Sequence, residues 1–210
     1  MMKKNLKLMI LTSAVILLPI LAGVILWPQL PEQLPFHWNM SGEVDDWVSK
    51  PMAVFGMPAL LLVLHWFAML FTSADPKKAQ QSPKMLQLVF WLVPLLSVLI
   101  SAATYFSALG NNVPVERFLP VFLGMLFAII GNYLPKCKQS YTIGIKLPWT
   151  LHSEANWNMT HRLAGWVWMP CGLAMVLAGF LNLTWLLPAL ALVMVLVPVS
   201  YSYLLYRKGV

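Results

Sequence analysis

Charge is what this sequence has least of. Its 210 residues hold only 14 Lys and Arg and seven Asp and Glu, 10% of the chain, where a soluble domain carries about a quarter. That shortage excludes a water-soluble globular domain. Disorder is excluded from the other side: 60% of the residues are hydrophobic, and disordered chains are poor in them. Cysteine is scarce as well. Cys137 falls in a polar connecting stretch and Cys171 in an apolar run, so their depths differ and no disulfide is expected. Catalytic signatures are missing. There is no G-x-S-x-G, no H-E-x-x-H and no Asp pair within an apolar run, so no enzyme is expected. His37 with Glu43, Asp45 and Asp46 has donor atoms without a recognised ligand spacing, as do Cys137, His152 and His161. No metal and no cofactor are expected.

What the sequence does have is long uncharged runs. Six contain no Asp, Glu, Lys or Arg: Leu8–Trp27, Pro51–Thr72, Met85–Ser107, Phe118–Leu134, Leu163–Leu181 and Thr184–Tyr206. About 20 mostly apolar residues let a helix cross a hydrocarbon core of ~30 Å. The runs do not alternate as the strands of a membrane barrel do. They predict an all-α, polytopic membrane protein of six transmembrane helices. Ten Trp and sixteen Pro suit such helices, as interfacial anchors and kinks. Lys3, Lys4 and Lys7 precede the first run as in a signal peptide, but the run is too long and no small-residue cleavage site precedes Pro28, so a retained helix is expected.

Six helices place both termini on one side. With the N-terminus cytoplasmic, 12 of the 14 basic residues face inward, leaving only Lys50 and Arg117 outside. Five of the seven acids (Glu32, Glu43, Asp45, Asp46 and Glu116) then face outward. This bias predicts cytoplasmic N- and C-termini. It also explains the net charge of +7 as a topology signal, helped by anionic membrane lipid at the inner leaflet, and not as a footprint for direct nucleic-acid binding.

Two connections are long. Pro28–Lys50 is expected outside and Pro135–Arg162 inside. Splitting the chain after the third helix gives two three-helix halves of opposite orientation, the pattern of an inverted repeat. In the outer loop, Pro28, Pro31 and Pro35 favour an extended, polyproline-like exit from the first helix. Ser41-Gly42 reads as a turn, and Phe36, Trp38 and Trp47 as interfacial anchors. In the inner loop, Gly144 allows a tight turn within Tyr141–Ile145, and Pro148 excludes a continuous helix. Ser153 is a good N-cap, with Glu154 in the first turn. The chain is predicted to run from there as a helix into the fifth span, with Trp157 and His161 on one face. Gly124, Gly131, Gly165, Gly172 and Gly179 suit close helix contacts. His65, inside the second span, reads either as a polar group lining a cavity or as a neutral ring bonded to a neighbouring helix.

The two loops carry a resemblance. Leu34-Pro35-Phe36-His37-Trp38-Asn39, then Gly42, Asp45 and Lys50-Pro51, resembles the bacterial membrane region DUF1648. Gly131-Asn132-Tyr133-Leu134-Pro135-Lys136, then Tyr141 through Thr150, then Trp157 and Thr160-His161, resembles the SdpI family. The corresponding organisation is residues 1–73 (helix one, loop 28–50, helix two), 74–117 (helix three with linkers) and 118–210 (helix four, loop 135–162, helices five and six). The resemblance implies a multi-pass protein of the bacterial plasma membrane. It further implies immunity to a secreted peptide toxin, with signalling by capture of a cytoplasmic transcriptional repressor. On that reading His37, Trp38, Asn39, Gly42, Asp45, Asp46 and Lys50 face the toxin. Asn132, Lys136, Lys138, Gly144, Lys146, Pro148, Trp149, Thr150, Trp157 and His161 form the docking loop. For the lysines, the positive-inside requirement is the better account. The rival reading, from loop symmetry and His65, is a small transporter or flippase of inverted halves.

Overall fold

A computed structural model describes the backbone of residues 2–39 and 41–210, with side chains from Leu6 onward except Lys78. The side chains of Lys3 and Lys4 therefore lie outside the described residues. The helices are α1 (Met2–Leu26), α2 (Met57–Ala74), α3 (Pro83–Ala108), α4 (Val115–Tyr133), α5 (Pro148–His152), α6 (Glu154–Phe180) and α7 (Leu187–Arg207). Two strands, β1 (Gln33–Trp38) and β2 (Val44–Ser49), form an antiparallel hairpin between α1 and α2. A π-helical segment, Met52–Gly56, runs without a break into α2.

Among the described residues six stretches are long and apolar enough to span a bilayer: Leu6–Ile25, Met52–Ala74, Pro83–Ala108, Val115–Lys136, Glu154–Phe180 and Thr184–Arg207. They coincide with the six uncharged runs. The fifth starts nine residues before its run because Ser153 caps it there, its hydroxyl accepting from the Asn156 N–H at 3.1 Å. Large apolar side chains cover the outer helix faces, including Ile25, Trp166 and Phe180, a surface suited to lipid.

The chain divides into two compact units, Met1–Phe71 with Leu86–Val115, and Thr72–Met85 with Glu116–Val210. In the first, Leu30 and Leu34 at the base of the hairpin are buried with Ala53, Val54 and Tyr105. Polar side chains bind its helices together. The Tyr105 hydroxyl donates to the Pro19 carbonyl (3.2 Å), Ser97 to the Ile16 carbonyl (2.9 Å) and the Trp66 indole to Ser13 (2.9 Å).

In the second unit α4 and α6 meet backbone to backbone. A Cβ at Gly124 would stand 2.5 Å from the Gly172 carbonyl, and one at Gly172 would stand 2.5 Å from the Ala128 nitrogen. The glycines read as contact residues in the sequence are thus the seam itself. Between α6 and α7, Pro198 lacks the N–H that would bond the Met194 carbonyl. The Trp168 indole donates to that carbonyl at 2.8 Å, which removes the cost of an unpaired acceptor in lipid.

Candidate functional site

Two connecting segments are folded structures, and they hold most of the residues singled out in the sequence. The first is the hairpin. The three prolines were expected to give a polyproline-like exit; instead Pro35 sits within β1, opposite Trp47. Proline is tolerated in edge strands, and both strands of a two-stranded ribbon are edges. The register shifts between Pro35 and His37 and again between His37 and Trp38. Such bulges break the alternation by which a strand is read from sequence.

The hairpin residues divide by task. Asn39 builds the turn: its side-chain carbonyl accepts from the Ser41 and Glu43 N–H groups (2.9 and 3.0 Å), and its amide donates to Glu43 (3.1 Å). Gly42 takes φ 82°, a conformation other residues rarely adopt. Lys50 closes the base. Its side chain is 8% exposed, pairs with Glu32 at 3.0 Å and lies 5.2 Å above the Trp27 ring. His37, Asp45 and Asp46 are exposed, with His37 Nδ1 2.6 Å from Asp45 Oδ1. Phe36 and Trp47 are exposed beside them, while Trp38 is half-buried.

The second segment joins α4 to α6, and its interior is polar and fully bonded. Trp157 and His161 stack with ring centroids 4.0 Å apart. The Trp157 indole donates to the Cys137 carbonyl (2.9 Å). His161 Nε2 accepts from the Ile145 N–H (2.9 Å), so Nδ1 carries the proton and donates to the Trp157 carbonyl (2.8 Å). Gly144, at φ 114°, lies against both rings, where a Cβ would come within 2.6 Å of His161 Nε2. Pro148 opens the short helix α5. Thr150 accepts from the Leu147 N–H at 2.9 Å. Trp149 packs across α7, its ring 5.6 Å from Tyr206 and its indole donating to Ser202 at 2.7 Å. Thr150, Trp157 and His161 are buried and Trp149 is half-buried, whereas Asn132, Lys136, Lys138, Lys146 and Pro148 are exposed. The predicted docking set is therefore a buried frame with an exposed basic rim.

Two residues central to this segment were not singled out. Asp75, just beyond α2 and 3% exposed, gathers the loop. Its Oδ2 accepts from Ser140 Oγ (2.6 Å), the Tyr141 N–H (3.0 Å), the Thr142 N–H (3.1 Å) and Thr142 Oγ1 (2.9 Å). Its Oδ1 accepts from the Lys77 N–H at 2.8 Å. Burial alone would push this carboxyl up; the donors of Ser140, Lys77, Thr142 and Tyr141 outweigh it and hold it below the ordinary value. Asn156, fully buried, donates to the Ser202 carbonyl (3.0 Å) and accepts from Thr160 (3.0 Å) and Ser202 Oγ (2.9 Å). The sequence offered one signal for Asp75, as a lone acid in a basic stretch, and none for Asn156.

His65 is buried in the first unit, with Nε2 2.8 Å from Thr12 Oγ1. That hydroxyl also lies within hydrogen-bond distance of the Leu8 and Met9 carbonyls (2.8 and 3.1 Å), so it ties His65 to the preceding turn of α1. Cys137 is buried, and burial pushes its thiol up to about 12. Among the described residues no three His, Cys, Asp or Glu side chains converge as a metal site.

Six apolar spans joined by a folded hairpin and a folded loop define a multi-pass membrane protein of a bacterium. Residues 136–202 match the SdpI/YfhL protein family, and residues 14–62 match the domain of unknown function DUF1648. It is similar to "Immunity protein SdpI" of Bacillus subtilis (strain 168), 27% identical over 210 residues that cover 99% of this chain and 98% of the relative. No solved structure matches it.

Proposed function

We propose that this protein confers immunity to a secreted peptide toxin at the bacterial plasma membrane and passes the encounter to a cytoplasmic repressor. The observation that carries the reading is the likeness, along nearly the whole chain, to a protein named for immunity. The Lys/Arg distribution supports cytoplasmic termini, with the hairpin outside and the 135–162 loop inside. The hairpin exposes Glu43, Asp45 and Asp46, and also Phe36 and Trp47. Exposed acidic and aromatic groups together complement a cationic, amphipathic peptide. The exposed rim of Lys136, Lys138 and Lys146 offers a repressor a charged docking edge over a rigid frame. The Thr12 contact of His65 supports a packing role for that ring, so the transport reading gains nothing from it.

The test is survival of a sensitive host exposed to the toxin of a flanking or related toxin locus. Cells expressing the chain are expected to survive, with His37→Ala and Asp45→Ala weakening protection. Equal killing with and without the wild-type chain would end the immunity claim. Recovery of a winged-helix repressor in the membrane fraction only when peptide is present would support the relay.

A further inference from the structure

Asp75 and the path leading to it are used by nothing described so far. The chain leaves the hairpin at Lys50, enters a helix at Pro51 and stays helical through Met52–Gly56 and Met57–Ala74. The 18 residues of α2 alone extend about 27 Å. π-helical turns are rare and concentrate at functional sites. At the far end, the next residue is Asp75, whose one oxygen Oδ2 holds Ser140, Tyr141 and Thr142.

The rest of the same linker grips the same segment. Lys77 Nζ donates to Gln139 Oε1 and lies 5.4 Å over the Tyr141 ring. Gln81 donates to the Lys138 carbonyl at 2.5 Å. Gln139 in turn donates to the Thr150 and Leu151 carbonyls (2.9 and 3.0 Å). A helical rod therefore ends in a charged clamp on the turn that covers Trp157 and His161.

We propose that Asp75 is the positioning residue through which α2 holds the 139–147 segment closed, so that a displacement at the hairpin base opens this segment. The inference rests on the relay reading above for its biological use, but its test does not. Ion-assisted hydrogen bonds are stronger than neutral ones, and four donors on one oxygen leave the turn no comparable alternative partner. Opening would uncover Cys137, which is 2% exposed and lies beneath this segment, its thiol 3.7 Å from the Ile143 carbonyl. Cys171, within α6, reports on the helices separately.

The experiment measures N-ethylmaleimide labelling of Cys137 and Cys171 by mass spectrometry, in the full-length chain in native membranes without added peptide. Asp75→Asn is the milder variant and Asp75→Ala the harsher. Both are expected to speed Cys137 labelling by about tenfold or more, as local opening does, with Cys171 unchanged. Unchanged Cys137 labelling would overturn the clamp. Equal acceleration of both thiols would also overturn it, since Asp75 would then hold the helices and not the segment.

The hairpin base is perturbed with Lys50→Glu, which sets a carboxylate in a buried site against the face of Trp27, where a cation is favoured. This change is expected to speed Cys137 labelling in the Asp75 chain and to add nothing in the Asp75→Asn chain. No effect of Lys50→Glu, or effects that simply add, would leave Asp75 a structural residue and overturn the transmission. Toxin survival, measured in parallel, reports on the immunity reading alone. Coupled labelling without protection would overturn that reading and spare this one.

Discussion

At the scale of single residues, buried polar side chains among the described residues each have a partner. His65 is the plainest case, because its Nε2 meets the Thr12 hydroxyl at 2.8 Å. Thr12→Val is expected to lower stability by about 1 kcal/mol, the range of polar contacts between membrane helices, with Thr12→Ser close to wild type. Thermal unfolding in detergent checks both. Asp75 carries a pH signature. Its carboxyl is held below its ordinary value of 3.8, so its stabilisation is complete above that value and is lost as pH falls through the depressed one. Hydrogen exchange corrected for intrinsic rates is expected to show protection at Tyr141–Ile145 that is level from neutral pH down to about 4 and falls only below. In Asp75→Asn that protection is already reduced at neutral pH, with no acid step. The role of Asp75 was not legible in advance: its charge marks it as a lone acid in a basic stretch, but hydropathy says only that it lies between helices. Its role depends on Ser140 and Thr142, 65 and 67 residues away in the chain.

At the scale of elements, the α4–α6 seam and the hairpin make opposite demands. The seam tolerates no side chain at its closest point. Gly172→Ala is expected to cost about 1–3 kcal/mol through overpacking against the Ala128 and Gly124 backbone. Gly110→Ala, at an open position with φ 80°, tests strain alone. Melting temperatures separate the two effects. In the hairpin, Glu32 is 90% exposed and its bond to Lys50 is weakened by solvent. Glu32→Gln is therefore expected to leave the melting temperature almost unchanged, whereas Lys50→Ala loses packing on Trp27 and lowers it. Equal losses from the two would show that the ion pair, and not burial of the lysine stem, closes the base. The Gly seam and the Ser153 cap were readable because each depends on residues close in the chain or regularly spaced along it. The hairpin was not, because two bulges and Pro35 remove the period of two on which strand reading depends.

At the scale of the whole molecule, the reading rests on which compartment each folded segment meets. Single-cysteine variants at Asp45 and Lys146, in a background without Cys137 and Cys171, are expected to react with an impermeant maleimide from opposite faces of the membrane. Labelling from the same face would defeat both the orientation and the relay. The basic rim belongs at this scale too. Lys138→Gln with Lys146→Gln is expected to impair repressor recovery while leaving survival intact, since neither residue lies in the buried frame. Loss of survival as well would tie the rim to protection itself.

The sequence alone determined the six spans, the charge asymmetry, the glycine contacts and the start of α6, because hydropathy, charge and capping act over one helix or less. It also marked both folded segments through their motifs. Only the tertiary structure decided that Trp157 and His161 are an interior frame, that Asn156 binds α7, and that Asp75 fastens the 140–142 turn. Those outcomes turn on satisfying buried donors and acceptors from distant parts of the chain. Which group completes which shell is settled by packing geometry, and no local pattern encodes it.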